Sequence, residues 1–254
     1  MNKIKISLIT ALILGLLPLV GFAQFDFDIN SLFDTYDPNP SPNSIVTDFY
    51  LIWSANTYVP YEYQGRALAS QGSEVTIEAI VSLSSGRADN LNYNWFIDGI
   101  FQENKSGYGK NTLSFSVLQH PGGYHVVKGQ ISNEDKSIFE ERSTKIPVVE
   151  PELVVYSGFS DQASKTSLVS AEKISSFTAK PYFFGIKKII DLEFEWHFTG
   201  QEPIISSEYD ASVLNLSISE KEDKEVLENS LWVSVKNKTE AKQSAYQTIK
   251  IQIY

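Results

Sequence analysis

Cysteine is absent from the 254 residues, methionine occurs once and histidine three times. The first absence excludes disulfide staples, thiol nucleophiles, cysteine-ligated zinc and iron–sulfur clusters. Three histidines leave little room for a histidine-rich metal site. Basic residues are short as well: 21 Lys and Arg stand against 31 Asp and Glu, for a net charge of −10 and a pI near 4.8. So acidic a chain repels phosphate backbones, which argues against a nucleic-acid partner. No glycine-rich loop precedes a helix to cradle a phosphate, and no Gly-x-Ser-x-Gly elbow marks a serine hydrolase. What is plentiful is apolar side chain. At 42% hydrophobic and 13% aromatic residues, the chain can build the cores of one large or two ordinary domains.

The long hydrophobic run stands at the start. Lys3 and Lys5 precede an apolar stretch from Ile6 to Val20, Pro18 breaks it, and Gly21 and Ala23 occupy the −3 and −1 positions of a cleavage site. Residues 1–23 therefore read as a signal peptide, the stretch being rather short for a retained membrane anchor. No cysteine follows to carry a lipid, no later segment is apolar enough to span a bilayer, and no sorting tail closes the chain. The expected product is exported and either periplasmic, cell-surface or extracellular, meeting a membrane only through the signal segment during export. Export without disulfides requires each domain to be stable from its core alone.

Residues 24–44 read as a Pro/Asp-rich linker. Pro38, Pro40 and Pro42 fall within five positions and can sustain neither a helix nor an inner strand. Asp26, Asp28, Asp34 and Asp37 lack the mid-loop glycine and distal glutamate of an EF-hand, so they read as a solvated acidic spacer. From residue 45 the hydrophobic period is two. Val75, Ile77, Ala79 and Val81 alternate with Thr76, Glu78 and Ile80, and Leu192-Glu-Phe-Glu-Trp-His197 alternates in the same way. This is the signature of antiparallel sheets with one buried face. The pattern also occurs twice. Leu91-Asn-Tyr-Asn-Trp95 matches Leu192-Glu-Phe-Glu-Trp196, and 18 positions separate Trp95 from Leu113 and Trp196 from Leu214 alike. Leu51–Ser54 answers to Val154–Ser157, and Ile131-Ser-Asn133 to Val235-Lys-Asn237. A duplicated domain follows, at 45–149 and 150–254, with a boundary at Val149-Glu-Pro151 too short for free hinging.

One strand ends in Tyr93-Asn-Trp95 and runs to an Asp98-Gly99 turn. After it come a Ser106-Gly107-Tyr-Gly109 turn, Leu113-Ser-Phe-Ser-Val117 and Gly123-Tyr-His-Val-Val127. This series resembles the PKD-like branch of the immunoglobulin-like β-sandwiches. The second domain keeps Phe194-Glu-Trp196 but has Thr199-Gly200 in place of Asp-Gly and an acidic insert, Glu220–Glu225, where the Gly-Tyr signal belongs. The resemblance implies an all-β chain: two tandem Ig-like (PKD-like) antiparallel sandwiches of seven strands each, metal-free and non-catalytic, serving as spacers or adhesive modules. Independently of any family, a tryptophan in the middle of an inner strand is the largest packing unit available to a sandwich without disulfides. Trp95 and Trp196 are therefore assigned to the two cores.

Chemistry is sparse. His120 and His125 flank Pro121-Gly-Gly with no third ligand, and read as loop and strand-edge histidines. His197 falls on the outward side of its strand and receives no role. Ser170-Ala-Glu-Lys173 matches Ser-x-x-Lys without the partner motifs that acylation needs. Asn104, Asn215 and Asn237 open glycosylation sequons that carry little weight in a chain with bacterial traits. Two aromatic loops remain: Tyr58-Val-Pro-Tyr-Glu-Tyr63 and Pro181-Tyr-Phe-Phe-Gly185. Tyr58, Tyr61, Tyr63, Tyr182 and Phe183 are the candidate ligand or partner contacts. They either stack on sugar faces or pack at a sandwich end or the domain junction. The functional expectation is a non-enzymatic exported spacer or protein-interaction pair without cofactors, its partner a protein or cell-envelope component. A carbohydrate-binding accessory protein, with a polysaccharide partner and an exposed row of aromatics, is the alternative.

Overall fold

The alternation of apolar and polar residues becomes sixteen strands in a computed structural model that describes residues 44–158, 163, 165–170, 173–203, 210–218 and 227–253. The signal segment and the four linker aspartates lie outside the described residues, as does the whole acidic insert. The first half contains β1 (Val46–Asn56), β2 (Ala69–Ser70), β3 (Glu74–Leu83), β4 (Asn92–Ile97), β5 (Ile100–Phe101), β6 (Gly107–Tyr108), β7 (Thr112–Ser116), β8 (Tyr124–Ser132) and β9 (Phe139–Val149). The second contains β10 (Glu152–Ser157), β11 (Thr166–Val169), β12 (Ile174–Tyr182), β13 (Leu192–Phe198), β14 (Val213–Ser217), β15 (Leu227–Asn237) and β16 (Ser244–Ile253). Among the described residues the helical structure consists of three single 3₁₀ turns. No described helix is long and apolar enough to cross a membrane.

Each half makes two sheets. In the first, β1-β3-β7 faces β2-β9-β8-β4-β5; in the second, β10-β12-β14 faces β11-β16-β15-β13. All pairings are antiparallel except β2 with β9 and β11 with β16, which are parallel at the corresponding place in both halves. This strand order, with a buried tryptophan on the strand beside the last hairpin, is that of an immunoglobulin-like sandwich. The second half has the seven strands the resemblance implies; the first has nine. The extra two are short ribbons against the free edge of β4. Asp98 and Gly99 both have positive φ, 50° and 82°, the conformation that lets a two-residue turn follow the strand twist and fold β5 back on β4.

Two separate cores result. The first gathers Trp53, Val75, Ile77, Tyr93, Trp95, Leu113, Val127, Ile131 and Ile146, among others; the second gathers Phe177, Phe184, Trp196, Leu214, Leu231, Val233 and Ile249. Trp95 and Trp196 are both completely buried. A buried indole N–H needs an acceptor, and both find one at the same offset: Trp95 Nε1 donates to Lys110 O at 2.8 Å and Trp196 Nε1 to Ala211 O at 3.1 Å, each 15 residues on. The environments differ across the sheet. Trp95 pairs in register with Gly129, Trp196 with Val233.

Candidate functional site at the domain junction

β1 ends at Asn56, and the chain then leaves the first sandwich to run along the second. Tyr58 N–H donates to Phe184 O at 2.7 Å and Phe183 N–H to Tyr58 O at 2.8 Å, so one antiparallel bridge joins the two halves. The half-buried Tyr58 ring packs on the second core, not on its own. Glu62 forms an ion pair with Lys180 of β12. The Lys180 hydrogen bond holds the Glu62 carboxyl below the usual glutamate range.

The two aromatic loops meet here. Tyr63 lies edge-on to Tyr182 (centroids 5.5 Å apart, planes at 72°) and to Phe183 (5.9 Å, 77°), and Tyr182 to Phe183 is 6.1 Å. Phe183 is buried and has φ +63°, a left-handed conformation costly for an aromatic residue. The bridge to Tyr58 and the burial of the ring hold it there. Tyr63 and Tyr182 are half-buried, while Tyr61 stands fully in solvent at 104% relative exposure. The five candidate rings therefore do not make an exposed row. Three interlock at the junction, one enters the second core and one is free.

A second clasp closes the junction on another side. Gln243, on the turn between β15 and β16, is 1% exposed. Its Nε2 donates to Ser70 Oγ (3.1 Å) and Gln71 O (2.8 Å) in the first sandwich. Its Oε1 accepts from Gly185 N–H and Asn237 Nδ2, both at 2.8 Å. Every hydrogen-bonding direction the amide uses is thus spent inside the protein. No sequence motif announced this residue. Its partners Ser70 and Gln71 lie 173 and 172 positions away, and an isolated glutamine in a polar turn resembles a solvated one.

The remaining singled-out residues are placed elsewhere. His120 is exposed. His125 is buried, with Nδ1 2.7 Å from Asp98 Oδ2 and Nε2 accepting from Leu118 N–H at 3.4 Å, so both its nitrogens are engaged within the protein. Asp98 also accepts from Val126 N–H at 2.8 Å. Burial works against its charge, but the bonds from Val126, His125 and Gln119 outweigh it and hold the carboxyl below the usual aspartate range. His197 does leave the core face, yet it is not a plain solvated residue. Its ring stacks on Trp232 of the neighbouring strand at 3.6 Å and 5°, with Nε2 3.0 Å from Glu195 Oε1 but off the line of a hydrogen bond. Asn237, one of the three sequon asparagines, is buried and bonded to Gln243.

No family model and no curated protein matches this sequence. Among solved structures, the three N-terminal domains of the Highly Immunogenic Outer Capsid protein (Hoc) of bacteriophage RB49 are similar at 17% identity and a TM-score of 0.45, over 81% of this chain and 59% of that one. Sidekick-1 immunoglobulin domains 1–4 are similar at 10% identity and 0.31, over 83% and 49%. The Bacteroides ovatus mixed-linkage glucan utilization locus protein SGBP-B, in complex with a mixed-linkage heptasaccharide, is similar at 14% identity and 0.26, over 80% and 47%. The chain spans about half the length of the structures it matches. Its own strand order and register carry the assignment: two immunoglobulin-like β-sandwiches in tandem, joined by a bridge, an ion pair and a buried amide.

Proposed function

We propose that the chain is an exported, non-enzymatic two-domain module that presents its strand edges and loops to a protein or cell-envelope partner from a fixed interdomain geometry. The observation that carries this is Gln243. A buried side-chain amide bonded to both sandwiches is out of place in a flexible tether, because each opening would strip a set of bonds from groups that burial has cut off from water. The sandwiches at 45–149 and 150–254 then act as one piece. The duplicated, acidic surface and the chemistry-poor sequence support a binding module over an enzyme. Export is inferred from residues 1–23. Small-angle scattering and residual dipolar couplings on residues 24–254 test the reading: a single alignment tensor for both sandwiches is expected, and independent tensors overturn it.

A second reading, carbohydrate binding, has one specific observation in its favour: the fully exposed Tyr61 at the mouth of a cleft that both sandwiches line.

A further inference from the structure

We propose that the cleft between the Tyr58–Glu62 loop and β12 is a binding site for one pyranose ring of a neutral oligosaccharide, with Tyr61 as its stacking platform. The proposal rests on the second reading above and, because both sandwiches line the cleft, on their staying docked.

The cleft holds about 270 Å³, just below the usual range for small-molecule sites, so it suits a single sugar ring better than a large ligand. The first sandwich contributes Tyr58, Tyr61 and Glu62, the second Thr178, Lys180 and Ser212. The loop is held on both sides of Tyr61: the Tyr58 backbone is bridged to Phe184, and the Tyr63 ring is wedged against Tyr182 and Phe183. An aromatic side chain on so constrained a loop gains free energy by covering its face, yet Tyr61 is left wholly in water. Preorganised and uncovered, it is a platform for an apolar C–H face.

The polar groups narrow the class. Glu62 and Lys180 pair at the mouth, and Ser212 Oγ donates to Asp210 Oδ1 at 2.6 Å nearby. The Glu62 and Lys180 charges compensate each other, so the pair draws an ion of neither sign strongly. A polyol suits it, since its hydroxyls both donate to the carboxylate and accept from the ammonium. A phenol titrates at about 10 and so is a neutral donor at physiological pH; burial, followed by the Glu62 and Asp210 charges, pushes that of Tyr58 higher still.

The test is titration of residues 24–254 with cello-, laminari-, manno- and xylo-oligosaccharides, read by calorimetry and by amide and side-chain chemical shifts. Expected are shifts centred on Tyr61, Glu62 and Lys180, roughly tenfold weaker binding for Tyr61→Ala and near-normal binding for Tyr61→Phe, which keeps the ring. Tyr61 packs on nothing that holds the fold, so both variants remain folded; circular dichroism checks this. Silence across the panel, binding that Tyr61→Ala leaves unchanged, or shifts confined to another face each overturn the proposal. Interdomain rigidity is measured without saccharide, so a failure of sugar binding is told apart from a loss of docking between the sandwiches.

Discussion

Asp98 shows how much a single turn residue can carry. Its backbone, at φ 50°, starts the hairpin to β5; its carboxylate takes the Val126 N–H and the buried His125 ring, tying the end of β4 to β8. Because the folded carboxyl titrates below the unfolded one, the ionised form stabilises the fold at neutral pH. That contribution is complete above the unfolded value of about 4 and is lost as pH falls through the lower folded value. Asp98→Asn keeps the shape and removes the charge. Its melting temperature should be lower than that of the parent at pH 7, and the gap should close as both are acidified below about pH 4. Thermal melts across that range check this, and a gap that stays constant would assign the effect to the lost hydrogen bonds and not to the charge. The sequence exposed the turn, because Asp-Gly is a hairpin signal on its own. It did not expose the ring partner, since His125 is 27 positions away and reads as an ordinary strand residue.

At the scale of the strand, the two halves are the same device tuned differently. Both tryptophans use the same bond, 15 residues on, to settle the indole nitrogen. Across from Trp95, however, stands Gly129. A methyl there would lie 3.1 Å from the Trp95 ring and 3.2 Å from Leu51, while in the second sandwich Val233 occupies the matching register position and is itself buried in the core. The first core is thus filled by the tryptophan and Leu51 where the second uses a branched side chain. Gly129→Ala should destabilise the first sandwich by about 1–3 kcal/mol, the usual cost of overpacking. Its φ is not in the left-handed region, so backbone strain does not enter. Chemical denaturation checks the figure, and an unchanged or raised midpoint would mean that Trp95 has room to shift. Existence and phase of these strands were legible because period two survives in a single sequence. The short ribbons β5 and β6 were legible only through their turns, being too brief to alternate.

At the scale of the whole molecule, the decisive feature is the junction. Gln243 bonds two groups of the first sandwich and two of the second. Gln243→Ala removes all four bonds and leaves the Gly185 N–H and Ser70 Oγ to find water in a closed space. The expected loss is about 1–3 kcal/mol, the cost of unsatisfied buried polar groups, and it should fall on the coupling between sandwiches more than on either core. Scattering and dipolar couplings of the variant check this: the two halves should align less uniformly than in the parent. A variant equally rigid would assign the coupling to the Tyr58–Phe184 bridge and the aromatic wedge. The candidate rings belong to the same scale. Tyr63, Tyr182 and Phe183 were legible as unusual aromatic loops, but which face they turn to depends on a neighbour more than a hundred residues away.

The sequence by itself determined that this is an all-β, duplicated protein with a tryptophan at the centre of each half. Alternation, turn chemistry and spacing are local properties written along the chain, and a repeated pattern repeats its fold. Only the tertiary structure decided that the two aromatic loops interlock, that an unremarkable glutamine closes the junction and that Tyr61 alone of the five rings stands fully in solvent. Those outcomes depend on which surfaces meet, and pairing between residues far apart in sequence leaves no period or motif by which one chain could announce it.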